Sequence, residues 1–157
     1  MGAERPPGTG GRSRELAPGL TLEGHGRWNA LVFDRPRPVL SSAPVGGGDT
    51  RAQRVVNLCV GGPDCRVLCD DPEGAFRALA SEHGWQGPVV GLMTGVAADK
   101  LGVATGPGWS VVASAGTNNA HRAGGPAPEP DGPGTINIIA ATDQALTPAA
   151  RAEALAL

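Results

Sequence analysis

The sequence predicts an α/β fold, a single domain with a mixed β-sheet covered by a few helices and joined by Gly/Pro-rich loops. Three observations predict it. Short runs of β-branched and apolar residues recur at WNALV (28–32), VVNLCV (55–60), VVGLMT (89–94), WSVVAS (109–114) and TINIIAAT (135–142). Two segments carry helix caps followed by apolar residues at helical spacing. A chain of 157 residues, 40% of them apolar, has room for one modest core. With no Tyr, two Phe and three Trp, that core must rely on Val, Leu, Ile and Ala, which suits strands covered by Ala-rich helices.

Taken in order, residues 1–20 are dominated by Gly, Pro, Arg and Ser without periodicity and are expected to form a flexible leader, leaving 21–157 as the domain. WNALV is the first strand. The prolines of FDRPRP confine the following VLSSA to an edge or a bend, and the three glycines at 46–48 free the backbone after it. Arg51 to Val60 reads as a strand with Val56, Leu58 and Val60 on one face and Val55, Asn57 and Cys59 on the other, so Asn57 needs hydrogen-bond partners. Asp71 and Pro72 make an N-cap and first helical residue. Phe76, Leu79, Ala80 and His83 then recur at helical spacing until Gly84 supplies a stop.

Val89–Thr94 and Trp109–Ser114 are further strands, joined by residues 95–108 with a short helical turn at VAADKLG. That length serves either a parallel crossover or a long hairpin, and in an antiparallel pair Thr94 and Ser114 would fall at opposite ends. Thr135–Thr142 is the next strand. Thr147 and Pro148 open a closing Ala-rich helix.

Composition excludes several functions. The net charge of −2, with GGRSRE near the start as the one short basic run, does not supply the concentrated stripe needed to track nucleic-acid phosphates. No apolar stretch has membrane-spanning length and the N-terminus lacks the apolar core of a signal peptide, so a cytoplasmic protein is expected. Cys59, Cys65 and Cys69 are read as reduced thiols. Their spacing matches no zinc pattern, and no histidine–carboxylate cluster supports a catalytic metal. GxSxG and P-loop motifs are absent.

Four strand-to-loop exits end in small polar residues, and with VVNLCV they make an ordered set of five motifs: SSAPVGGG, VVNLCV, GLMTG, SAGTNNAHRAG and GTINIIAATDQALTP. This ordered set resembles the adenosylcobinamide amidohydrolase family over about residues 28 to 155. The resemblance implies hydrolysis of the amide between the corrinoid and aminopropanol, giving adenosylcobyric acid for cobalamin salvage. It implies a corrinoid substrate and no cofactor, and it leaves room for a homo-oligomer. Family members continue beyond the helix that opens at Thr147 into a further Gly- and Thr-rich segment, so a C-terminally short chain is expected. The rival reading is a corrinoid-binding accessory protein without turnover.

Hydrolysing an unactivated amide needs a nucleophile or water, a base, oxyanion donors and an acid for the leaving amine. On the resemblance, Asn119, His121 and Asp143 are the catalytic candidates, and Ser41, Ser42, Thr94, Asn118 and Asn137 the substrate-binding ones. Ser41 and Ser42 precede three glycines whose N–H groups could surround an anionic oxygen, or they form a Ser-rich turn. Thr94 ends a strand beside Gly95, which permits close ligand approach, or it bonds locally. Asn118 and Asn119 could hold a substrate amide or donate to an oxyanion, and asparagine equally suits turns. His121 could serve as base, or be an exposed loop histidine. Asn137, between Ile136 and Ile138, either ties strands together or lines the site. Asp143 stands at a strand exit, where open α/β sheets present ligand groups, or is a solvated loop residue or cap.

Overall fold

The computed structural model describes residues 11–62, 65–116 and 135–156. β1 (Arg12–Ala17), β2 (Leu20–His25), β3 (Trp28–Ser41), β4 (Gly48–Cys59) and β5 (Val89–Thr94) form a five-stranded sheet in that order. Neighbours are antiparallel except β4 and β5, which run parallel from Arg54 opposite Val89 to Cys59 opposite Thr94. Parallel strands need a long crossover, and α1 (Cys65–Asp70) with α2 (Pro72–Glu82) supplies it. β6 (Gly102–Gly106), β7 (Trp109–Ala115) and β8 (Ile136–Thr142) form a second, antiparallel sheet, followed by α3 (Pro148–Ala156). The single α/β domain with a mixed sheet agrees with the sequence prediction. The division of the strands between two sheets is a finding of the structure.

Three layers result: α1 with α2, the five-stranded sheet and the three-stranded sheet. The alternation of β4 decides which side chains go where. Val56 and Leu58 enter a cluster with Trp28, Ala30, Val60 and Phe76 beneath the helices. Val55 faces the other way, into a cluster between the sheets with Leu22, Leu31, Val90, Val112 and Ile139. Asn57 shares that second face, as its position in the alternation requires.

The helix α2 begins and ends where its caps dictate. The Asp71 carboxylate accepts from the Gly74 N–H at 2.9 Å, Pro72 follows, and Gly84 leaves the helix at φ +62°. Phe76 is its buried anchor, 3% exposed, and burying such a ring contributes about 1.5–3 kcal/mol. The ring lies directly on β5: a Cβ at Gly91 would come within 2.7 Å of it, so the first glycine of GLMTG is there to admit Phe76. At α3, Thr147 caps by accepting from the Ala150 N–H at 3.2 Å.

The FDRPRP segment bends β3, and its register with β4 shifts between Val32 and Arg37. Beyond the bend the ribbon curls so that Val45 at its tip pairs with Gly91 on the far edge of β5, where the Gly91 N–H donates to Val45 O at 2.9 Å. Gly46 and Gly48 make this return with φ of +62° and +92°.

One expectation is corrected. Arg12–Ala17, assigned to the leader, is strand β1: Leu16 and Ala17 reach the core between the sheets, and the β2 hairpin provides the ladder that RSRELA does not announce. In the segment read as a helical turn, Ala97–Lys100 makes one turn, with the Lys100 N–H donating to Ala97 O at 2.9 Å. The chain then extends as β6, a glycine-bounded strand too short to show a period.

Candidate functional site

The strands position polar groups at one end of the sandwich. β4, β5 and β7 all run toward this end, while β3 and β8 start from it. Asn57, 2% exposed near the exit of β4, donates through Nδ2 to Ser114 Oγ on β7 at 2.9 Å. Its Oδ1 accepts from Asn137 Nδ2 on β8 at 2.8 Å. Asn137 Nδ2 also donates to the Met93 carbonyl at 2.9 Å, so one carboxamide ties together β4, β5 and β8. Thr94, 2% exposed at the end of β5, shares a 2.7 Å hydroxyl contact with Thr135 and accepts from the Val96 N–H at 3.0 Å.

A carboxamide can donate and accept at once, and a buried amide without partners costs about 1–3 kcal/mol. Asn57 satisfies both ends by facing two strands of the other sheet. The need for partners was legible in VVNLCV; their identity depended on how the sheets stack. The cluster of Asn57, Thr94, Ser114, Thr135 and Asn137 contains only amides and hydroxyls. It carries no formal charge, a setting that suits a neutral amide better than an anion.

Thr94 and Ser114 lie in different sheets that face each other, so both reach this end and the hairpin argument that would have separated them does not apply. The carboxamide of Asn137 joins the cluster through its hydrogen bonds. Ser41 and Ser42 stand elsewhere, at the far end of the β3–β4 ribbon. Ser41 pairs with Gly48, and its Oγ accepts from the Ala43 N–H at 3.0 Å, a local turn bond; Ser42 is exposed. Asp143 is also apart. It follows β8 at the end opposite Asn137, roughly 20 Å away at the rise of an extended strand, and its N–H donates to Gly108 O at 3.2 Å beside the β6–β7 turn. Asn118, Asn119 and His121 lie outside the described residues. The segment that carries them leaves from Gly116 and returns at Thr135, and the Gly116 N–H donates to Thr135 O at 2.8 Å.

Sequence reasoning passed over Asn29 and Thr135. Asn29 lies directly opposite Asn57 on β3 and is 4% exposed. The signal was present: WNAL, VNL and INI each place an asparagine between apolar strand residues. The other two histidines sit on the helix side of the sheet. His83 Nε2 accepts from the buried Trp28 indole N–H at 3.0 Å, and the His25 and Trp85 rings pack around them. Among the described residues no group of three or more His, Cys, Asp or Glu side chains could hold a metal ion, and no helix is long and apolar enough to cross a membrane.

The chain matches no curated protein and no solved structure. A family model described as adenosylcobinamide amidohydrolase matches residues 19–157, the part of the chain that holds both sheets from β2 onward and every member of the polar cluster. On that match, the chain belongs to the adenosylcobinamide amidohydrolase family.

Proposed function

We propose that this protein hydrolyses the amide joining the corrinoid to aminopropanol in adenosylcobinamide, releasing aminopropanol and adenosylcobyric acid for cobalamin salvage in the cytoplasm. Family membership supports the reaction class. The observation that carries the location is the uncharged amide and hydroxyl cluster where β4, β5 and β7 end. The segment bearing Asn118, Asn119 and His121 is anchored there at both ends, through Gly116 and Thr135. At about 3.6 Å per residue, covalent reach alone keeps Asn119 within roughly 11 Å of Gly116.

In this reading water is the nucleophile. His121 takes its proton as the oxygen attacks the amide carbon, and the proton then goes to the leaving amine as the C–N bond breaks. Asn119 donates to the oxyanion, with Asn118 holding a substrate amide. Thr94 and Asn137 supply the substrate-binding groups of the described cluster. Water and amide in, carboxylic acid and amine out, balance without a cofactor. Ser41, Ser42 and Asp143 stand away from the cluster and take no part.

A second reading, binding without turnover, is favoured by one observation: the described members of the cluster include neither an imidazole nor a carboxylate. Purified protein incubated with adenosylcobinamide and followed by mass spectrometry separates the two. Release of aminopropanol that is lost in His121→Ala and kept in Asp143→Ala is expected. Release lost in Asp143→Ala would refute the location. Corrinoid binding without any release would select the second reading.

A further inference from the structure

Among the described residues at this end of the sandwich, Asn29 is the one with a buried side-chain acceptor left over. It alternates with Trp28 and Ala30, which go beneath the helices, so its side chain lies on the face that carries Leu31 and looks toward the three-stranded sheet. Asn57 sits directly opposite it on β4, and cross-strand partners on one face have their Cβ atoms about 5 Å apart. Asn57 has both ends of its carboxamide bonded; Asn29 Oδ1 is buried with no hydrogen-bond partner among the described residues. On its other flank the opposing residue is Gly24, where among the described residues a Cβ would meet nothing nearer than the Trp28 carbonyl oxygen at 3.9 Å. The acceptor therefore stands between an asparagine whose carboxamide is already bonded and a glycine that has no side chain to bond it.

An acceptor buried without a donor is a cost to the fold, and a ligand N–H would remove it. We infer that Asn29 is a specificity-determining residue of this site, accepting through Oδ1 the N–H of the scissile amide. This rests on the proposed function. The chemistry adds a consequence that the reaction class alone does not contain. The substrate offers an N–H at this point, whereas the product offers a carboxylate oxygen, and two acceptor oxygens facing each other in a buried place repel. A site that bonds a donor rejects the analogue that lacks it far more strongly than an apolar pocket would. Asn29 thus holds the amide and favours departure of the acid.

The test compares the KM for adenosylcobinamide with the inhibition constant of adenosylcobyric acid in the wild-type protein and in Asn29→Leu. If the protein binds without turnover, dissociation constants of the two ligands replace these. Removing one neutral hydrogen bond should raise the amide constant roughly three- to tenfold, while the acid constant stays the same or falls. Asn29→Ala, which adds no bulk, should show the same split. Both constants moving together, or neither moving, would overturn the inference while leaving the hydrolase reading intact. A wild-type protein that neither turns over nor binds corrinoid would remove both. Thermal unfolding without ligand supplies the structural control. The orphaned acceptor predicts that Asn29→Leu melts at or above the wild-type temperature, and a clear fall would assign Asn29 to the fold instead.

Discussion

Replacing Asn57 with alanine tests whether the two sheets are joined by the polar network as described. Two partners are affected. Ser114 Oγ, in a residue 3% exposed, loses its donor, and Asn137 loses one acceptor while keeping the Met93 carbonyl. An orphaned buried hydroxyl costs about 1–3 kcal/mol, and the half-buried Asn137 falls at the low end of that range. Together with the small cavity left behind, the expected destabilisation is about 2–4 kcal/mol. For a domain of this size that lowers the melting temperature by about 4–16 °C. The sharper quantity is the coupling between Asn57→Ala and Ser114→Ala, because each single variant breaks the same bond. Urea unfolding of the wild type, both single variants and the double variant should give an interaction energy of about 1 kcal/mol, with the m-value unchanged. Additivity within about 0.3 kcal/mol would mean that the two side chains do not meet, and the stacking of the sheets at this end would be wrong.

Other consequences are more local. Gly91→Ala forces a methyl group against the Phe76 ring, 2.7 Å away, and should cost about 1–3 kcal/mol in urea unfolding; Gly91→Ala combined with Phe76→Leu should recover part of it. His83→Leu leaves the indole N–H of Trp28, a residue 6% exposed, without its acceptor, and a loss of about 1–3 kcal/mol with a changed tryptophan emission is expected. The Arg37 guanidinium, hydrogen-bonded to Asp34 at 3.0 Å, holds that carboxyl below its ordinary range. A carboxyl with a lowered folded-state pKa stabilises above its unfolded value and loses that contribution as pH falls through the lowered one. Arg37→Gln should therefore move the Asp34 titration upward in an NMR pH series and remove this acid-side term; the pair is solvent-exposed, so the shift rather than the melting temperature is the readout.

The sequence by itself determined the local elements, because their signals are local. The cap formed by Asp71 and Pro72, the stop at Gly84 and the Thr147 cap specify α2 and α3 without reference to anything distant. Alternation in VVNLCV specified which residues of β4 share a face, and hence that a buried asparagine required partners. The family was legible in the same way, since an ordered set of short motifs survives without coordinates. What the sequence did not contain was any signal for pairing across long separations. RSRELA becomes a strand only because β2 offers it a ladder, and the three glycines near position 47 serve to fold a ribbon tip back onto β5. The candidate site divided along the same line. Thr94 and Asn137 come together, while Ser41, Ser42 and Asp143 go to other ends of their strands, because a residue at a strand exit is placed by the direction of that strand and by which sheet it joins. Asn29 shows the same limit from the other side. Its residue type and its apolar neighbours were visible in WNALV, but only the register against β4 and the glycine beside it leave its carbonyl oxygen buried and without a donor among the described residues.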